Sequence, residues 1–220
     1  MSFYTFGSDK KPGFIYIGLP KTASTSIQNI TEYHYYGIEV HRIGHVGVDH
    51  SSLDGIDLPR IICVRNPYDR MVSAFQHMYK VHETLGDERL PPAGQKGFNR
   101  FVKYVYAHDL SWKNMSHDLV QIAKQGSPVT EYHKATSFKR TQLDNMKKNG
   151  ELVDFELVMK YENLQEDYKK FQDFIKCDKP LPHDNAGTLD LDYREIYTRH
   201  TKELVTEMFA EDLEYFNYSF

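Results

Sequence analysis

The chain is poor in cysteine, has no long apolar run and carries only a small excess of negative charge. Two cysteines exclude a disulfide framework. Cys63 sits in a β-branched run and Cys177 follows a helical pattern, so both read as free thiols of a reducing compartment. No segment approaches the ~20 apolar residues needed to span a bilayer, and no apolar stretch fit for a secretory signal follows Met1. The 27 Lys and Arg against 31 Asp and Glu leave a net charge of -4, which argues against a nucleic-acid partner. The 11 histidines are scattered, with neither H-E-x-x-H nor paired C-x-x-C, so no metal site is expected. The triphosphate loop G-x-x-x-x-G-K-[ST] is missing too.

What is present is a 220-residue chain, 40% hydrophobic, long enough for one α/β domain with a substantial core. Its most informative stretch is Gly18-Leu19-Pro20-Lys21-Thr22-Ala23-Ser24-Thr25-Ser26, placed between the apolar run Phe14-Ile15-Tyr16-Ile17 and a helical pattern. Strand, tight turn and helix N-terminus together make an anion site, because free backbone N–H groups and the positive end of the helix dipole face the turn. Lys21 adds a cation, and Thr22, Ser24, Thr25 and Ser26 add hydroxyls. Ser and Thr also cap ordinary helices, which is the plainer reading of the same residues.

A second segment runs Arg60-Ile61-Ile62-Cys63-Val64-Arg65-Asn66-Pro67-Tyr68-Asp69-Arg70-Met71-Val72-Ser73-Ala74-Phe75. Its β-branched start predicts a strand buried on both faces. Pro67 suits the first turn of a following helix. Arg65 then stands at the carboxyl end of a strand, where open α/β sheets bind ligands. Taken singly, Arg65 or Arg70 reads as a surface ion-pair former, and Ser73 as a helix-surface hydroxyl.

The pattern along the chain predicts strands at about 13–18, 38–42, 60–65 and 155–159. It predicts helices at about 24–34, 67–80, 98–108, 115–125, 164–175 and 198–213, with a further helical piece at 142–147. Loops are expected at 43–59, 83–97 and 178–196. Strands alternating with helices imply a single α/β domain over residues 1–220, with a central parallel sheet flanked by helices.

Pro20-Lys21-Thr22-Ala23-Ser24-Thr25-Ser26 resembles the 5′-phosphosulfate loop of the sulfotransferases that use 3′-phosphoadenosine 5′-phosphosulfate (PAPS). Arg65-x-Pro67-x-x-Arg70-x-x-Ser73-x-Phe75 resembles their 3′-phosphate motif. The wording of the loop is similar to that of carbohydrate sulfotransferases, especially the heparan sulfate 2-O group. Gly44-His45-Val46 is similar to that group's catalytic histidine segment. The group has a further histidine two positions earlier, where this chain has Ile43. Arg140-Thr141-Gln142, Tyr161-Glu162-Asn163-Leu164 and the closing run from Val205 continue the likeness.

The resemblance implies a P-loop-like domain that binds PAPS as co-substrate, works without metal and releases adenosine 3′,5′-bisphosphate. It implies that Lys21 meets the oxygen bridging sulfur and phosphorus, and that Pro20 to Ser26 hold the 5′-phosphosulfate. Arg65 and Ser73 would hold the 3′-phosphate. His45 is the candidate general base, with His41 and His50 as competitors and Glu83 and Glu162 as weaker ones. Glu162 reads more simply as a helix cap or an arginine partner, and Lys139, Arg140 and Arg194 as further contacts to phosphate or to an anionic acceptor. The motifs favour a saccharide hydroxyl as acceptor; a small metabolite, a lipid or a peptide tyrosine stays open. So does a non-catalytic module that binds adenosine 3′,5′-bisphosphate, whereas a nucleotide hydrolase lacks its triphosphate loop. The expected setting is cytoplasmic, of bacterial or viral source, with no membrane partner. The alternative is a catalytic domain trimmed from an anchored glycan-modifying enzyme. The oligomeric state is not legible.

Overall fold

The computed structural model describes residues 1–85, 94–107, 139–182 and 192–220. In chain order the described elements are β1 (Ser2–Thr5), β2 (Phe14–Ile17), α1 (Ser24–His34), β3 (His41–Gly44), β4 (Arg60–Val64), α2 (Pro67–Leu85), α3 (Gln95–Ala107), β5 (Lys147–Lys148), β6 (Glu151–Leu152), β7 (Leu157–Lys160), α4 (Leu164–Ile175), α5 (Arg199–Met208) and α6 (Ala210–Tyr215). They gather into two compact units. One joins Met1–Asn66 to Gln142–Ala186, and the other joins Pro67–Thr141 to Gly187–Phe220.

The first unit holds a five-stranded sheet in the order β3-β1-β2-β4-β7. β2, β4 and β7 run parallel, with Ile17 opposite Ile62 and Val64 opposite Lys160. β1 pairs antiparallel with both β2 and β3. The fold is therefore α/β with a parallel core flanked by helices, extended on one side by the antiparallel pair β1 and β3, of which only β1 runs against the core strands. β2 and most of β4 are buried on both faces, as their unbroken apolar runs require. On one face Phe14, Tyr16, Ile61, Cys63 and Met159 pack with Ile27 and Ile30 of α1 and with Tyr168, Phe171 and Ile175 of α4. Each such side chain contributes about 1.5–3 kcal/mol by leaving water. Phe171, fully buried against Phe14 at 5.7 Å between ring centroids, would cost about 3–5 kcal/mol if truncated to Ala.

The second unit is helical in its described part. Met71, Val72, Ala74 and Phe75 of α2 meet Phe98, Phe101, Val102 and Val105 of α3 and Leu204 and Val205 of α5. Thr198 caps α5 through a reciprocal bond with Thr201.

Several expectations are refined. β1 was not foreseen; it is a four-residue strand whose Phe3 and Thr5 are fully buried. The piece at 142–147 is one 3-10 turn, Leu143–Met146, followed by the short strand β5. The last helix breaks into α5 and α6 at Phe209, a buried residue outside helical geometry (φ -123°, ψ 27°). The helix expected at about 115–125 lies outside the described residues. Cys63 and Cys177 are free and buried.

Candidate active site

In a parallel sheet the carboxyl ends of the strands lie side by side, and ligands bind in the crevice beyond them. Here β2 leads into the turn at Gly18, β4 into Arg65 and β7 into Tyr161. The sequence motifs thus arrive at one edge of the sheet.

The turn after β2 is strained. Lys21 has φ 69° and Ala23 has φ 59°, two non-glycine residues in the left-handed region within three positions. Such geometry costs roughly 1–3 kcal/mol per residue and is held by its surroundings. The Thr22 hydroxyl, fully buried, donates to the Leu19 carbonyl at 3.1 Å and so braces the turn from inside. At Gly18 a side chain would collide with the backbone of Met1, so the close approach of β1 to the turn requires glycine there. α1 starts directly after Ala23, whose methyl cannot cap it, and no acidic residue occupies its first turn. Ser24 and Ser26 are buried in that turn and Thr25 is exposed. The result is a helix N-terminus presented at the end of a left-handed turn, a geometry suited to an anion.

Lys21 and Arg65 meet at this edge. Arg65 Nη1 donates to the Lys21 carbonyl at 3.0 Å. Its guanidinium lies 4.0 Å from the centre of the Tyr161 ring, a cation–π distance. Burial, with the Arg65 charge adding to it, lowers the Lys21 pKa from 10.5 to about 8. The Arg65 charge acts on the Lys21 ammonium, and two such cations at one turn favour an anionic ligand there. Glu162, expected as a cap or arginine partner, accepts the backbone N–H of Asn66, the residue just before α2, at 2.6 Å through Oε1. Gln142 bonds both backbone groups of Arg65.

His45 lies just beyond β3, after Gly44 at φ 88°. Its Nδ1 bonds the Gly18 carbonyl at 2.7 Å. A carbonyl only accepts, so Nδ1 carries the proton, and in the neutral ring Nε2 keeps its lone pair. The ring retains exposed surface, yet dense protein around it strips water and lowers its pKa from the ordinary 6.5. Ser2 fixes this segment: its hydroxyl donates to the Val46 carbonyl at 2.8 Å and accepts the Gly18 N–H at 2.9 Å. The unforeseen strand β1 therefore ties the histidine segment to the anion turn. His41 instead stacks on Tyr4 at 4.6 Å and lies 3.4 Å from Glu39, and His50 caps a 3-10 turn by accepting from Ser52.

The structure thus brings together Pro20 to Ser26, His45 and Arg65 in the first unit. Ser73 belongs to α2 of the second unit, where it is half-buried. In that unit Arg70 is buried over Phe209 at 5.7 Å and donates to the Arg140 carbonyl. Lys139 donates to the Tyr106 carbonyl at 3.0 Å, and Arg194 pairs with Asp192 and lies over Tyr193. Glu83 falls among residues whose side chains are not described. Among the described residues no three His, Cys, Asp or Glu side chains cluster as a metal site, and no helix is long and apolar enough to cross a membrane.

The sequence reading gave Ser2 no part in the site and named Gln142 and Tyr161 only within stretches that continue the family likeness, because a hydroxyl, an amide and a ring show what they support only once the strand order brings them to the motifs. No curated protein and no solved structure matches the chain. The family model described as Sulfotransferase family matches residues 4–219, and the chain belongs to that family.

Proposed function

We propose that this sulfotransferase takes its sulfuryl group from PAPS and passes it to a saccharide hydroxyl, with His45 as the base. The observation that carries this reading is the turn at Gly18–Ala23. It ends at a helix N-terminus without a side-chain cap, it holds Lys21 against Arg65, and its first carbonyl orients His45.

The residues fit such a donor chemically. The mixed phosphate–sulfate anhydride and the 3′-phosphate of the donor are anionic, and the turn offers backbone N–H groups, the Lys21 ammonium and the Arg65 guanidinium. The donor supplies an activated sulfur whose bond to the phosphate oxygen breaks during transfer. Thr22, Ser24, Thr25 and Ser26 hold the 5′-phosphosulfate through N–H or hydroxyl groups, Thr22 through its N–H, since its hydroxyl is engaged with Leu19. Lys21 balances the negative charge that grows on the leaving phosphate oxygen, which is where electrostatic help is worth most. Arg65 takes the 3′-phosphate, for which the sequence resemblance also names Ser73. His45 accepts the acceptor's hydroxyl proton at Nε2 while Nδ1–H stays on the Gly18 carbonyl. The positive groups of the chain make a metal unnecessary for this charge balance.

The test is mass spectrometry of an acceptor panel incubated with PAPS and excess chelator. The panel holds saccharides, a tyrosine peptide, a hydroxylated lipid and small alcohols. A gain of one SO3 group on the saccharides is the expected result. Transfer only to another class would replace the acceptor, and tight binding of adenosine 3′,5′-bisphosphate without any transfer would mark a binding module.

A further inference from the structure

Arg65 is the first residue beyond β4, where the ladder of the sheet has ended. Its backbone N–H and C=O therefore need partners from outside the sheet. Both find the same side chain. The Arg65 N–H donates to Gln142 Oε1 at 2.9 Å, and Gln142 Nε2 donates back to the Arg65 carbonyl at 2.8 Å. The amide of a fully buried glutamine thus plays the part of a strand neighbour for one residue. Glu162 does the same for the next N–H, that of Asn66. The turn that Gln142 opens also reaches the histidine segment, since the Val48 N–H donates to the Asn145 carbonyl at 3.0 Å.

An arginine at a strand end swings with its backbone. A guanidinium that must meet both the Lys21 carbonyl and an anionic ligand tolerates little such movement. A methyl-terminated side chain of glutamine's length would fill the same volume and supply neither bond. We infer that Gln142 is a positioning residue that acts through Arg65, fixing the orientation in which its guanidinium meets the 3′-phosphate of the donor. This rests on the proposed assignment of Arg65 to that phosphate.

The experiment compares binding of adenosine 3′,5′-bisphosphate and adenosine 5′-monophosphate by calorimetry. Its readout is the affinity ratio, which reports the 3′-phosphate alone. Gln142→Met should cut the ratio about 3–10-fold, the worth of one or two hydrogen bonds. Gln142→Asn, one methylene too short to span both backbone groups, should do the same and serves if the Met variant does not fold. Leu143→Ala, a buried neighbour in the same turn, should lower the melting temperature and leave the ratio unchanged. In an Arg65→Ala background, Gln142→Met should no longer move the ratio. A wild-type ratio in either Gln142 variant, or an equal loss with and without Arg65, overturns the inference while leaving the donor assignment standing. A wild-type protein that does not distinguish the two nucleotides overturns the donor assignment itself, and the role of Gln142 with it.

Discussion

Arg65 Nη1 donates to the main-chain carbonyl of Lys21 at 3.0 Å, so the arginine after β4 closes the anion turn after β2. Two motifs far apart in sequence are thereby one structural object. Arg65 shapes the turn and, in the proposed site, also offers charge to the ligand.

Replacing Arg65 should therefore have two separable effects. Arg65→Ala should weaken binding of adenosine 3′,5′-bisphosphate by roughly 1.5–3 kcal/mol, as expected for a hydrogen bond to a charged group. A smaller part of the loss should persist with adenosine 5′-monophosphate, because the turn loses its brace. Calorimetry with both nucleotides, in excess chelator, measures the two parts. Equal losses would assign Arg65 to the turn alone.

Lys21 should set an alkaline limit. Its ammonium form prevails below its pKa of about 8 and is lost as pH rises through that value. In the proposed mechanism the charged form is the one that meets the donor, so kcat/KM should fall above pH 8 in the free enzyme. Binding of an anionic donor favours the charged form, so the same limb in kcat should lie higher. Lys21→Arg should abolish the limb, and Lys21→Ala should lower kcat far more than it weakens donor binding. Steady-state rates from about pH 6 to about pH 10 provide the check.

Thr22 should matter for stability. Thr22→Val keeps the shape of the side chain but leaves the Leu19 carbonyl without its donor. The expected loss is about 1–3 kcal/mol, read from urea unfolding. Removal of the hydroxyl should leave the backbone N–H groups of the turn in place, so donor affinity should change less than for Arg65→Ala.

The parts of the fold that were legible in sequence share a physical cause. β2 and β4 are unbroken apolar runs because both their faces are buried, and α4 shows its apolar stripe because only one of its faces is. The anion turn was legible because hydroxyls, a lysine and a proline cluster between a strand and a helix. β1 was not: four residues take their strand form from pairing on both sides, not from their own pattern. The single 3-10 turn at Leu143–Met146 read as a helix because its apolar spacing is shared by both forms. At the site, Lys21, Arg65 and His45 carry chemistry in their side chains and stood out. Gln142 and Ser2 act by bonding backbone groups that only the sheet order brings within reach.

The role of His45 is decided by the single-turnover rate of sulfuryl transfer from PAPS, measured against pH for wild type and His45→Ala. The His45 ring is neutral above its pKa, which desolvation holds below the ordinary 6.5, so wild-type transfer should fall as pH drops through that lower value. His45→Ala should slow transfer by about 10²–10⁴-fold, keep donor affinity and lose the acid limb. A variant that transfers at nearly the wild-type rate with the acid limb intact would contradict His45 as the base and would place that base at another residue.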